Sequence, residues 1–195
     1  MTTASSDSFP SPATGIRSIC VFCGSRFGSN PAYADHAREL GRLMAARGIR
    51  LVYGGGRVGL MGVVADAVLA GGGEVVGVIP KLLIEKEVEH RGLTELHEVD
   101  SMHTRKAMME RMSDAFIVLP GGFGTMDEMC EILTWAQLGL HEKPLGLLNT
   151  AHYYDGLLGF FDRSRDEDFV SARNRALIRT EASPAALLDR LAARG

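Results

Sequence analysis

Several features are missing from this 195-residue chain. No apolar run approaches the ~20 residues that a membrane-spanning helix needs, so no membrane partner is expected. No G-x-x-x-x-G-K-[ST] segment occurs, which excludes the P-loop nucleotide hydrolases. Cysteine is reduced to Cys20, Cys23 and Cys130. Cys20 and Cys23 form a C-x-x-C, but no second Cys or His pair supplies the other half of a zinc site. The pair lies in an apolar run, where a free thiol packs as a small hydrophobe, so no metal is expected. An excess of one charge is also absent: the formal net charge is −3, which gives no reason to expect nucleic acid as a partner. The first 15 residues are polar and Pro/Ser/Thr-rich and lack the basic and apolar regions of a secretory signal. They are expected to form a disordered tail over 1–15, leaving a single domain over 16–195 and a cytoplasmic location.

What is present is alternation. Apolar runs at 18–22, 49–53, 74–79, 93–99, 115–119 and 145–148 read as strands, the last as the final strand. Stretches with helical periodicity at 31–47, 59–70, 102–113, 125–140, 153–168 and 184–193 read as helices. The polar connection 81–92 carries a weak short-helix signal. Asn30-Pro31 is a helix start and Gly48 a stop. Strands alternating with helices predict an α/β fold, a doubly wound parallel sheet with helices on both faces. The strands are apolar throughout rather than alternately, as burial on both faces requires.

In such sheets ligands bind beyond the carboxyl ends of the strands. Four unusual segments follow strands and should share one rim: Gly24-Ser25-Arg26, Gly54-Gly55-Gly56, Ser101-Met102-His103 and Pro120 to Thr125. The last is the most informative. Pro120-Gly121-Gly122-Phe123-Gly124-Thr125-Met126-Asp127-Glu128 joins a strand to a helix through glycines, a geometry that aims free backbone N–H groups at an anion. A plainer reading is a capping box, Thr125-x-x-Glu128, with Asp127 favouring the helix dipole. It explains the acids but not the glycines. Glu131 follows Glu128 on the same helix face, and Trp135 and Gln137 serve either a core, a pocket or a subunit contact. Gly54-Gly55-Gly56-Arg57-Val58-Gly59 matches G-x-G-x-x-G, yet it follows the second strand and no suitable acid lies ~20 residues on. It is either a close-approach turn for a ligand or a tight structural turn. In Met102-His103-Thr104-Arg105-Lys106 the guanidinium of Arg105 can fork onto a phosphate or carboxylate. His103 and Lys106 could simply face solvent.

Taken together, these residues resemble the LONELY GUY family. Pro120 to Glu128 looks like its PGGxGTxxE motif. Phe22-Cys23-Gly24-Ser25, Val52-Tyr53-Gly54-Gly55-Gly56, Gly59-Leu60-Met61-Gly62, Met102 to Lys106 and Thr134-Trp135-Ala136-Gln137-Leu138-Gly139 follow in the family's order. Phe123 stands where the family often has Tyr. The resemblance implies a Rossmann-like fold and a homodimer. It also implies hydrolysis of the N-glycosidic bond of adenosine-type 5′-monophosphates, N6-substituted or not, to free base and ribose 5-phosphate, with no cofactor. Glu128 is then the catalytic carboxylate and Arg105 the cation beside it. Ser25, Gly55, Gly56, Met102, Lys106, Pro120, Gly121, Gly122, Gly124, Thr125 and Glu131 are expected to bind the nucleotide. The family has been labelled lysine decarboxylase, yet none of the four lysines, Lys81, Lys86, Lys106 and Lys143, has a recognisable pyridoxal phosphate context. The alternative reading is a molybdenum-cofactor carrier of similar fold, which the Arg105 and Glu128 pair disfavours.

Overall fold

Strands buried on both faces must be sandwiched by helices, and the chain builds that arrangement. The computed structural model describes residues 15–83 and 90–193. The expected tail lies outside them except for Gly15, as does 84–89 of the 81–92 connection, whose described start, Lys81–Leu83, is a single 3-10 turn. The elements are β1 (Ser18–Phe22), α1 (Ala32–Ala46), β2 (Arg50–Tyr53), α2 (Gly59–Ala70), β3 (Val75–Pro80), β4 (Glu95–Val99), α3 (Met102–Arg111), β5 (Ala115–Val118), α4 (Phe123–Gln137), β6 (Leu145–Leu148), α5 (Asp155–Asp166), α6 (Ala172–Arg175), β7 (Ile178–Glu181) and α7 (Pro184–Ala192).

The seven strands form one sheet in the order β4-β3-β2-β1-β5-β6-β7, and every pair is parallel. Alternate residues of each central strand face opposite cores. Ile19, Val21, Leu51, Tyr53, Ala115 and Ile117 pack under α1, α2 and α7 through Leu40, Met44, Leu60, Val64 and Leu187. Cys20, Phe22, Val52, Phe116 and Val118 pack under the other layer through Met109 of α3 and Met129 and Ile132 of α4. Each large side chain buried in this way contributes roughly 1.5–3 kcal/mol. The outer strands carry charges instead, Glu95 and Glu98 on β4, Arg179 and Glu181 on β7, as edges commonly do.

The reading that strand 145–148 is the last is corrected by β7. Only Ile178 of that strand is fully buried, so it lacked the continuous apolar signal of the inner strands. Asn30 acts as foreseen: its Oδ1 accepts from the Ala32 N–H at 3.0 Å, and Pro31 already has helical torsions. The strand order reverses at β1, which has β2 on one side and β5 on the other. A crevice opens at such a switch point beyond the carboxyl ends.

Candidate active site

The crevice between the ends of β1 and β5 is a cleft of about 630 Å³. Cys23 to Gly28 line one wall, Leu60 and Met61 of α2 and Met102 and Arg105 of α3 the floor and side, and Pro120 to Thr125 with Asp127 and Glu128 the other wall; Tyr33, Leu83 and Tyr153 complete the rim.

The start of α4 decides between the two readings of the Pro120 to Glu128 turn. The helix begins at Phe123, two residues before the expected Thr125, with Gly122 as an extended N-cap (φ −99°, ψ −150°) and no side-chain cap hydrogen bond. Thr125 is therefore the third helical residue and Glu128 the sixth, so the capping box is corrected. The physical cause is local packing. Thr125 is buried, and a Cβ on Gly121 would run into its side chain and stand 2.9 Å from the Gly24 nitrogen. The threonine is thus held beneath the turn and not placed at the helix end. The N–H groups of Phe123, Gly124 and Thr125 have no acceptor within the helix, and a Cβ on Gly122 or Gly124 would meet nothing within 4 Å. Backbone donors and the positive end of the dipole face open space, as an anion site requires.

Glu128 lies one turn further along α4 and is only 12% exposed at its side chain; Oε1 is 3.8 Å from the guanidinium of Arg105, itself 6% exposed. The same guanidinium donates to the Gly54 carbonyl at 3.4 Å and contacts the Met102 sulfur at 3.8 Å. Two opposite charges held out of water in this way are strongly interdependent.

Next along α3, the Lys106 ammonium stands 2.9 Å from Glu131 and 3.2 Å from Asp127. Burial alone would lower its pKa, but the hydrogen bonds to Glu131 and Asp127 outweigh it and raise the value, keeping the group cationic. Neither Lys106 nor Glu131 lines the cleft; they tie α3 to α4 behind it. Burial, reinforced by the charge of Glu128, pushes the Cys23 thiol well above the ordinary range, and Cys20 rises for the same two reasons, burial first. Cys23 lines the cleft as a neutral thiol, not as a nucleophile. Among the described residues no cluster of His, Cys, Asp or Glu could hold a metal.

Of the expected binding residues, Ser25, Met102, Pro120, Gly121, Gly122, Gly124 and Thr125 line the cleft together with Arg105 and Glu128. Gly55 and Gly56 do not. Gly55 takes φ +80° and packs against Ile79 and Leu96. Gly59, the last glycine of the G-x-G-x-x-G match, takes φ +63°, and a Cβ there would overlap the Ser25–Arg26 peptide. Gly54, Gly55 and Gly59 of that match are thus closely approached by protein. Sequence reasoning missed Tyr33 and Tyr153 at the rim, which carry no local signal: they come from α1 and from the turn after β6.

Fold and cleft together define a Rossmann-like α/β protein with a cleft at the switch point. The chain belongs to the LONELY GUY family, whose profile, described as "Possible lysine decarboxylase", matches residues 61–191. It is 52% identical over 178 residues to a probable cytokinin riboside 5′-monophosphate phosphoribohydrolase of Oryza sativa subsp. japonica, covering 91% of this chain and 71% of the relative. It is 49% identical over 176 residues to a cytokinin riboside 5′-monophosphate phosphoribohydrolase of Arabidopsis thaliana, covering 90% and 83%. Among solved structures, the molybdenum cofactor carrier protein of Chlamydomonas reinhardtii aligns with a TM-score of 0.69 at 22% identity, over 91% of this chain and 98% of that one. That likeness shows the shared fold. Lys81 pairs with Asp100, Lys106 with Glu131 and Lys143 with Glu110, and none of the three lines the cleft. The described lysines do not fit the chemistry named in the profile's description.

Proposed function

We propose that this protein hydrolyses the N-glycosidic bond of adenosine-type 5′-monophosphates, with or without an N6 substituent, to a free base and ribose 5-phosphate. The observation that carries this is the Arg105–Glu128 pair, set in the cleft five residues beyond the start of a helix with no side-chain cap. The relatives' phosphoribohydrolase names support the same reaction.

Cleavage of this bond passes through an oxocarbenium-like transition state, positive at the anomeric carbon. In the proposed mechanism the first turn of α4, with Gly121 to Thr125, receives the 5′-phosphate. Glu128 lies five residues after the first residue of α4, about 7.5 Å further along the helix axis. Its carboxylate stabilises the developing cation and orients or deprotonates the attacking water. Arg105 holds Glu128 in place and offsets negative charge on the ligand. Binding energy from the phosphate, remote from the breaking bond, positions the sugar. No cofactor is needed for this chemistry. Lys106, Glu131, Gly55 and Gly56 support the site from behind in this scheme.

The cytoplasm is the proposed location; no helix among the described residues is long and apolar enough to cross a membrane. A homodimer is the proposed assembly, supported by the exposed Leu138, Leu140, Phe160 and Phe169 on the α4–α5 side of the molecule.

Incubation with AMP and with the N6-isopentenyl nucleotide, followed by chromatography of free base, tests the reaction. Release of base and ribose 5-phosphate from at least one is expected. Tight pterin binding with no base released from either would replace the reading with that of a carrier.

A further inference from the structure

The turn that follows β6 is strained. Ala151 and His152 take φ of +50° and +61°, a left-handed backbone that non-glycine residues adopt only when their surroundings impose it. Here the surroundings do. The Asn149 Oδ1 accepts from the Tyr154 N–H at 2.7 Å, Thr150 is fully buried with its hydroxyl 2.8 Å from His36 Nδ1, and the Tyr33 ring meets Tyr153 edge-on at 5.6 Å. The product of this turn is a pair of tyrosine hydroxyls delivered to the β5–α4 turn. Tyr154 donates to the Leu119 carbonyl at 2.6 Å, and Tyr153 to the Gly121 carbonyl at 2.7 Å.

The two bonds serve different ends. Tyr154 is 2% exposed and satisfies a buried carbonyl, as core stability demands. Tyr153 is 45% exposed and lines the cleft, where water could serve the same carbonyl. Its hydroxyl is not needed for packing. In a trans peptide the N–H points opposite to the C=O, so the bond to Gly121 also sets the direction of the Gly122 N–H. Neither flanking residue has a side chain to resist rotation of that peptide. We infer that Tyr153 is a positioning residue for the anion site: its hydroxyl locks the Gly121–Gly122 peptide, and the left-handed turn at Ala151–His152, which also seats Tyr154 in the core, holds it there. A donor array fixed in advance binds its anion without an ordering cost. The inference rests on the phosphate reading of the turn proposed above.

Tyr153→Phe removes the hydroxyl and keeps the ring. Titration with ribose 5-phosphate should show affinity about tenfold weaker than wild type, as loss of one fixed donor array predicts. KM for AMP should rise in parallel, with kcat within about twofold, adenine affinity unchanged and Tm little altered. Tyr154→Phe should do the reverse, lowering Tm and leaving ribose 5-phosphate affinity intact. Wild-type ribose 5-phosphate affinity in folded Tyr153→Phe overturns the inference alone, and so does equal loss in both variants. A wild-type protein that binds no ribose 5-phosphate overturns the phosphate reading and the inference with it.

Discussion

Two glycine turns leave neighbouring parts of the same sheet, and they use glycine for opposite purposes. In the turn from β5 to α4, Gly122 and Gly124 border open space, and the helix they start has no side-chain cap. In the turn from β2 to α2, glycine makes room for protein: Gly54 lies under the Arg105 guanidinium, Gly55 against Ile79 and Leu96, Gly59 against the Ser25–Arg26 peptide. The second turn matches the better-known motif and is the packing turn. A glycine motif therefore indicates close approach, and only the surroundings tell whether a ligand or the protein itself makes it.

The comparison breaks most readily at Glu128, the proposed catalytic group beside the open turn. Glu128→Gln keeps the shape and removes the charge. Turnover should fall by about 100- to 10,000-fold while nucleotide affinity and the far-UV spectrum stay close to wild type. Turnover within a few-fold of wild type would return Glu128 to a structural role.

A matched pair of alanines sharpens the contrast next. Gly121→Ala forces a Cβ onto Thr125 beneath the proposed phosphate site and should lower kcat/KM by about 100-fold, the effect of misplacing a positioning element by roughly 1 Å. Gly55→Ala imposes a left-handed φ on alanine outside the cleft lining; it should cost about 1–3 kcal/mol of stability by thermal melting, with a much smaller loss of kcat/KM per folded molecule than Gly121→Ala. Interchanged outcomes would refute the assignment of the two turns.

How these turns divide was only partly legible in the sequence. Parallel topology, the order of elements and the convergence of Ser25, Met102 and Pro120 to Thr125 followed from apolar strands separated by helical stretches. The start of α4 did not. Threonine is a strong N-cap, and local preference put the helix start at Thr125; burial of that side chain under Gly121, a tertiary fact, moved it to Phe123. β7 escaped because an edge strand with one buried residue has no apolar run. Lys106 was a solvent candidate until α4 brought Asp127 and Glu131 to it.

Lys106 yields a smaller effect with a defined pH signature. Its pKa is raised on folding from the ordinary 10.5, so its contribution to stability is full below that value and is lost as pH rises through the higher folded value. Wild type should lose thermal stability more steeply than Lys106→Met above about pH 10.5. Parallel curves would show that the lysine contributes nothing to the α3–α4 tie. The smallest effect belongs to Phe123, 97% exposed at the first position of α4: Phe123→Tyr should change stability by no more than about 0.5 kcal/mol and leave the turn intact.

The central claim is that one turn both holds the phosphate and presents the acid to the sugar. Its most direct test is the ratio of kcat/KM for AMP to that for adenosine, read as adenine release. At least a roughly 100-fold preference for AMP is expected, because the phosphate's binding energy orients the sugar against Glu128. Equal rates of adenine release from the two would contradict the account.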